Sequence, residues 1–121
     1  MITCNFMGGM GNQLFQWAAS QAAAKIHNTE CYYVASYFLN KGSWKFSLYD
    51  FDLKPKILEQ HLFVFPEIND DFHYRPLPDN SYLNGYWQSE KYFEKNKDTL
   101  RKEPRISAPH NPAHWQYLPL L

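Results

Sequence analysis

Three glycines followed by two side-chain amides hold the most chemical promise in this sequence. Gly8, Gly9 and Gly11 stand just before Asn12 and Gln13. Glycine reaches positive φ and lets a ligand come close to the backbone. A helix that starts there adds unpaired N–H groups and a partial positive charge. Such a turn suits a phosphate or another anion; the plain alternative is a tight turn that binds nothing. Two well-known phosphate signatures do not fit. The mononucleotide P-loop needs Lys-Ser or Lys-Thr after the last glycine, and Asn12-Gln13 stands there. The dinucleotide fingerprint G-x-G-x-x-G fits Gly9 and Gly11 but meets Leu14 at its third glycine. Glu30 has the distance for that fingerprint's acidic residue but precedes its strand. Asn12 and Gln13 each offer donors and an acceptor, directed toward the carboxyl end of a strand, where open α/β sheets bind ligands. Asn12 can equally cap the helix.

Other reactive residue types form no set. Cys4 and Cys31 are too few for a metal or disulfide framework and read as buried free thiols. His110 and His114 have a helical metal-ligand spacing, but Pro112 between them opposes a helix and no further ligands cluster nearby.

The elements that must carry these residues follow from periodicity. Ile2–Phe6 reads as a strand. Asn12–His27 reads as a helix with Leu14, Phe15, Ala18, Ala22 and Ile26 on one packed face. Asn28-Thr29 ends it, and Cys31–Val34 reads as a second strand. This is a βαβ unit with parallel strands and a right-handed crossover. Pro55 is placed to open a short helix over Ile57–Phe63, and a loop is expected over Glu67–Asn80. Tyr82–Trp87 reads as a third strand. Ser89 resembles an N-cap for a helix Glu90–Lys102, which Pro104 stops.

The 121 residues suffice for one domain. Basic and acidic residues number 12 each, for zero formal charge. That balance speaks against nucleic-acid binding, which favours a basic excess. Aromatic residues make up 18%, a density that suits a small core, a sugar-binding cleft or a partner surface. No apolar stretch reaches membrane-spanning length. The start lacks a signal-peptide pattern, so a cytoplasmic location is expected.

Gly8-Gly9-Met10-Gly11-Asn12-Gln13-Leu14-Phe15-Gln16-Trp17-Ala18 closely resembles the amino-terminal signature of the α-1,2-fucosyltransferase family, G-G-x-G-N-Q-[ML]-F-Q-Y-A. Leu83-Asn84-Gly85-Tyr86-Trp87-Gln88-Ser89-Glu90-Lys91-Tyr92-Phe93 resembles that family's L-x-G-Y-[FW]-Q-S-E-K-Y-F. Phe46, Leu48 and Phe51 resemble its looser F-x-L-x-x-F element. The resemblance covers about Ile2–Pro104.

It implies an α/β fold: a Rossmann-like βαβ amino-terminal lobe of a GT-B-like glycosyltransferase. It also implies transfer of fucose from GDP-fucose to the 2-hydroxyl of a galactoside, inverting, with no metal and no cofactor. By the resemblance, Gly9, Gly11, Asn12 and Gln13 contact the donor, Gly8 shapes the turn, and Gln88 and Glu90 reach toward the acceptor. Tyr86, Trp87, Tyr92 and Phe93 are expected to pack in the core or between lobes, and no residue is assigned as catalytic. Association with the membrane periphery is suggested by the family alone. The family's H-x-R-R-G-D-Y-type motif, whose arginine stabilises the leaving diphosphate, does not occur in the sequence. The expectation is therefore an incomplete lobe over residues 1–104, with a divergent tail over 105–121 as the candidate for poor order. Two alternatives stay open: a nucleotide-sugar or carbohydrate-binding module, and a protein whose inter-lobe face pairs with a separate second lobe or another copy.

Overall fold

A computed structural model describes residues 1–39, 47–58, 65–69 and 73–102. The expected element at Phe46, the His110/His114 pair and the tail 105–121 lie outside the described residues.

The βαβ unit forms as the pattern predicts. Strand β1 (Ile2–Asn5) leads through the glycine turn into α1 (Met10–His27) and then β2 (Cys31–Val34). Strands β1 and β2 are parallel, with Ile2 opposite Cys31 and Asn5 opposite Val34. Helix α1 ends at Asn28, whose left-handed backbone (φ 51°) turns its N–H back to the carbonyls of Ala24 and Lys25. Its start differs from expectation. The helix begins at Met10, so Gly11 and Asn12 lie within its first turn, and Gly9 is the cap residue. Leu14, Ala18 and Ala22 are buried as expected, whereas Ile26 is 59% exposed. The helix is buried on more than one face: Gln13, Gln16, Ala19, Ser20 and Ala23 are buried too.

Two further parallel strands complete a sheet in the order β2-β1-β4-β3, with β3 at Glu67–Ile68 and β4 at Ser81–Leu83. Strand β3 falls where a loop was expected. It forms because the Tyr82 N–H finds the Pro66 carbonyl at 3.0 Å and the Asn84 N–H finds the Ile68 carbonyl at 2.9 Å. Strand β4 is shorter than the expected Tyr82–Trp87, because the chain leaves the sheet at Asn84. The expected helix from Ile57 is corrected at its start: Lys56–Leu58 is extended and pairs in parallel with Tyr33 on the outer edge of β2.

The expected helix Glu90–Lys102 is broken into 3-10 turns at Glu90–Tyr92 and Glu94–Asn96, followed by α2 (Lys97–Arg101). The breaks fall at Phe93 (φ −129°, ψ 13°) and Asn96 (φ −113°, ψ 10°), which are not helical. Ser89 caps as expected, its hydroxyl accepting from the Lys91 N–H. Phe93 is 1% exposed and its ring sits 6.1 Å from that of Phe15 on α1. Burial of that ring against α1 outweighs helical continuity. Both cysteines are free and buried. No helix among the described residues is long and apolar enough to cross a membrane.

Candidate functional site

The strand order changes direction at β1: β2 lies on one side, β4 and β3 on the other. Ligands of open α/β sheets bind outside the carboxyl ends of strands at such a point. The glycine turn stands at this edge. Gly8 has φ +77°, open to glycine at little cost. A Cβ there would come within 2.8 Å of Asn12 Nδ2 and 3.1 Å of Tyr86 Cε1. Gly9 is extended, no side chain caps the turn, and no acidic residue lies in the first turn of α1. The leading amides of α1 thus meet no carboxylate from their own helix. Gly9, Gly11 and Asn12 are half-buried.

Gln13 and Gln16 hold this turn from below. Gln13 is fully buried. Its Nε2 donates to the Gly8 carbonyl at 3.0 Å, and its Oε1 accepts from the Ser47 N–H at 2.8 Å. Both ends of the amide are used within the protein, so Gln13 shapes the turn, and the expectation that it contacts a ligand gives way to a positioning role. Gln16, also fully buried, accepts from the Met7 N–H and donates to the Gly85 carbonyl, each at 3.1 Å. It ties the end of β1 to the end of β4.

Gly85 opens the opposite wall. Tyr86 is 41% exposed beside Gly8, outside the core. Trp87, Tyr92 and Phe93 are buried as expected, with Trp87 edge-on to Tyr92 at 5.4 Å. Trp87 has a left-handed backbone (φ 54°), a conformation that costs a bulky residue about 1–3 kcal/mol. That bend delivers the exposed Gln88, whose Nε2 donates to Asn12 Oδ1. The two stretches singled out in the sequence therefore meet at four places among the described residues: Gln16 with Gly85, Gly8 with Tyr86, Asn12 with Gln88, and Phe15 with Phe93. Asn12 does not cap its helix. Glu90 is engaged elsewhere, its carboxylate paired with Lys97.

A second polar group runs across the strand ends on the other face of the sheet. Cys4 points toward α1, its thiol 3.8 Å from the Gln16 carbonyl, so strand alternation puts Thr3 and Asn5 on the opposite face. Asn5 Nδ2 donates to Asn84 Oδ1 at 3.1 Å, and Asn84 Nδ2 donates to Glu67 Oε1 at 3.0 Å. Beneath them Tyr82 is buried. Its phenol is pushed up to about 12 by burial, with the charges at Cys4 and Glu67 adding to the effect.

Sequence reasoning did not single out Gln16, Asn5, Asn84 or Glu67 for individual roles. Gln16 had a usable signal: it lies on the buried side of an alanine-rich helix, where a polar residue must find partners. The Asn5–Asn84–Glu67 group had none, since the register that joins it depends on a strand of two residues.

Two cavities lie away from this edge. One of about 500 Å³ lies between α1 and the Pro76–Pro78 segment, with Ile26, Tyr74 and Tyr92 in its wall. Another of about 400 Å³ lies at the far end of α1, beside Glu30 and Lys56. Cavity size and site chemistry thus disagree on place; the uncapped turn and converging amides favour the sheet edge. Among the described residues no three His, Cys, Asp or Glu side chains gather into a metal-ligand set. No protein-family model, curated protein or solved structure matches this chain.

Proposed function

We propose that this chain is a sugar-nucleotide-binding lobe of a fucosyltransferase, with the donor's diphosphate at the glycine turn. The observation that carries the reading is the Asn12–Gln88 contact over Gly8, which brings the two family-like stretches together at the strand edge. Leading N–H groups of α1 receive the diphosphate, Gly9 and Gly11 allow its close approach, and the Asn12 amide hydrogen-bonds the donor. Gln88 positions Asn12, while Gln13 and Gln16 keep the turn rigid.

Transfer would join an acceptor hydroxyl to the anomeric carbon of fucose as the bond from that carbon to the diphosphate breaks. The acceptor's proton needs a base, and no residue is assigned to that role. Charge gathers on the departing diphosphate, and losing one preorganised group that stabilises such charge costs about 10²–10³-fold in rate. The arginine motif expected there is not in the sequence. The activity proposed for this chain by itself is therefore donor binding.

Calorimetric titration with GDP-fucose, with GDP as control, tests the reading. Saturable binding that Asn12→Ala weakens about tenfold or more is expected. A folded chain that takes up neither ligand would remove the donor site and with it this proposal.

A further inference from the structure

The Asn5–Asn84–Glu67 chain differs in chemistry from the glycine turn. The turn presents N–H donors and the positive end of a helix, which suit an anion. The chain across the strand ends has a fixed direction. A carboxylate only accepts, so Asn84 must give its Nδ2 to Glu67 and its Oδ1 to Asn5 Nδ2. Asn5 Oδ1 thereby stands at the head of the chain and the second Glu67 oxygen at its foot, neither hydrogen-bonded to another described residue. Both amide groups also retain a second N–H. Asn5 and Asn84 are half-buried and Glu67 is exposed, so the row is reachable from one side.

We propose that Asn5, Asn84 and Glu67 bind a neutral polyol, a pyranose ring with neighbouring hydroxyls, at the carboxyl ends of β1 and β4 and at the first residue of β3. Ring hydroxyls donate to Asn5 Oδ1 and the free Glu67 oxygen, and the remaining amide N–H groups donate back to ring oxygens. Each hydroxyl is both donor and acceptor, so it matches a row that alternates the two. A phosphate has no proton to give at most of its oxygens and is repelled by Glu67. The edge thus separates two ligand classes, an anion on the α1 side and a neutral sugar on the other face. That this sugar is the acceptor rests on the transferase reading above; that the row binds a polyol does not.

Nitrogen-15-labelled full-length chain is titrated with lactose and, separately, with GDP, following the side-chain amide signals of Asn5 and Asn84. Lactose is expected to shift both saturably. Glu67→Ala and Asn5→Ala are expected to weaken lactose binding at least about fivefold, the equivalent of one hydrogen bond, and to leave GDP affinity unchanged. Glu67→Gln, which keeps the shape and removes the charge, decides the matter if Glu67→Ala does not fold; the same loss is expected. Absence of any lactose-dependent shift up to the solubility of the sugar overturns the assignment. So does a folded Glu67 variant that binds lactose as well as the parent. GDP binding without lactose binding sinks this assignment alone; lactose binding without GDP binding sinks only the donor reading.

Discussion

Gly8 and Gly11 sit three residues apart and answer to different constraints. Gly8 needs its positive φ and has no room for a Cβ beside Asn12 and Tyr86. Gly8→Ala is expected to destabilise the chain by about 1–3 kcal/mol, read from urea denaturation. Gly11 is helical and lies in the first turn of α1, where alanine is intrinsically better by up to about 1 kcal/mol. The backbone conformation at position 11 therefore does not require glycine, and close approach by a ligand is the role proposed for it. Gly11→Ala is expected to hold or raise stability while weakening GDP binding. Equal GDP affinity in that variant would release Gly11 from the site. Asn12→Ala should keep the fold and lose donor affinity about tenfold or more, the cost of a hydrogen bond to a charged group; calorimetry reads both the affinity and the melting temperature.

At the scale of elements, Gln16 joins two strands that the backbone alone leaves side by side. Replacing it with leucine removes the amide and leaves both of its partners, the Met7 N–H and the Gly85 carbonyl, unpaired. Gln16→Leu is expected to cost about 2–6 kcal/mol, since each of the two unsatisfied groups costs about 1–3 kcal/mol. Loss of less than about 1 kcal/mol would mean that water replaces the clasp. The βαβ unit was legible because alanine and leucine recur at helical spacing and β-formers flank them. Ser89 was legible as a cap because its side chain acts locally. What was not legible depended on distant partners. Strand β3 is two residues long between loop segments, and only Tyr82 and Asn84 make it a strand. The breaks at Phe93 and Asn96 reflect packing on α1, which no local pattern announces. At the site, sequence placed Gly9, Gly11 and Asn12 at the edge. Gln13 faces the core, and an amide after glycines looks the same in sequence whether it faces a ligand or the core.

Over the whole molecule, the sheet's interior holds groups that resist ionisation. Burial pushes the Cys31 thiol up from 9.0 to about 11 and the Cys4 thiol well above 9.0, with each charge opposing the other at Cys4. Tyr33 is raised in the same way. The unfolded chain releases these protons first as pH rises, so it binds fewer protons than the folded chain and stability falls. Stability from this source is fully present below about pH 9 and is lost as pH climbs through about 11. Denaturation midpoints measured from pH 7 to 11 should stay level to about pH 9 and then decline. A level profile throughout would show that the thiols ionise without leaving the core. The parallel sheet also sets a timetable for synthesis. Once β1 is made, Asn5 must wait for Asn84, 79 residues further along. At the usual pace of translation this interval is roughly 4–16 s. Until then one edge of β1 has no strand beside it, and the nascent chain depends on α1 and β2 to keep that edge from pairing with a neighbour on the same message.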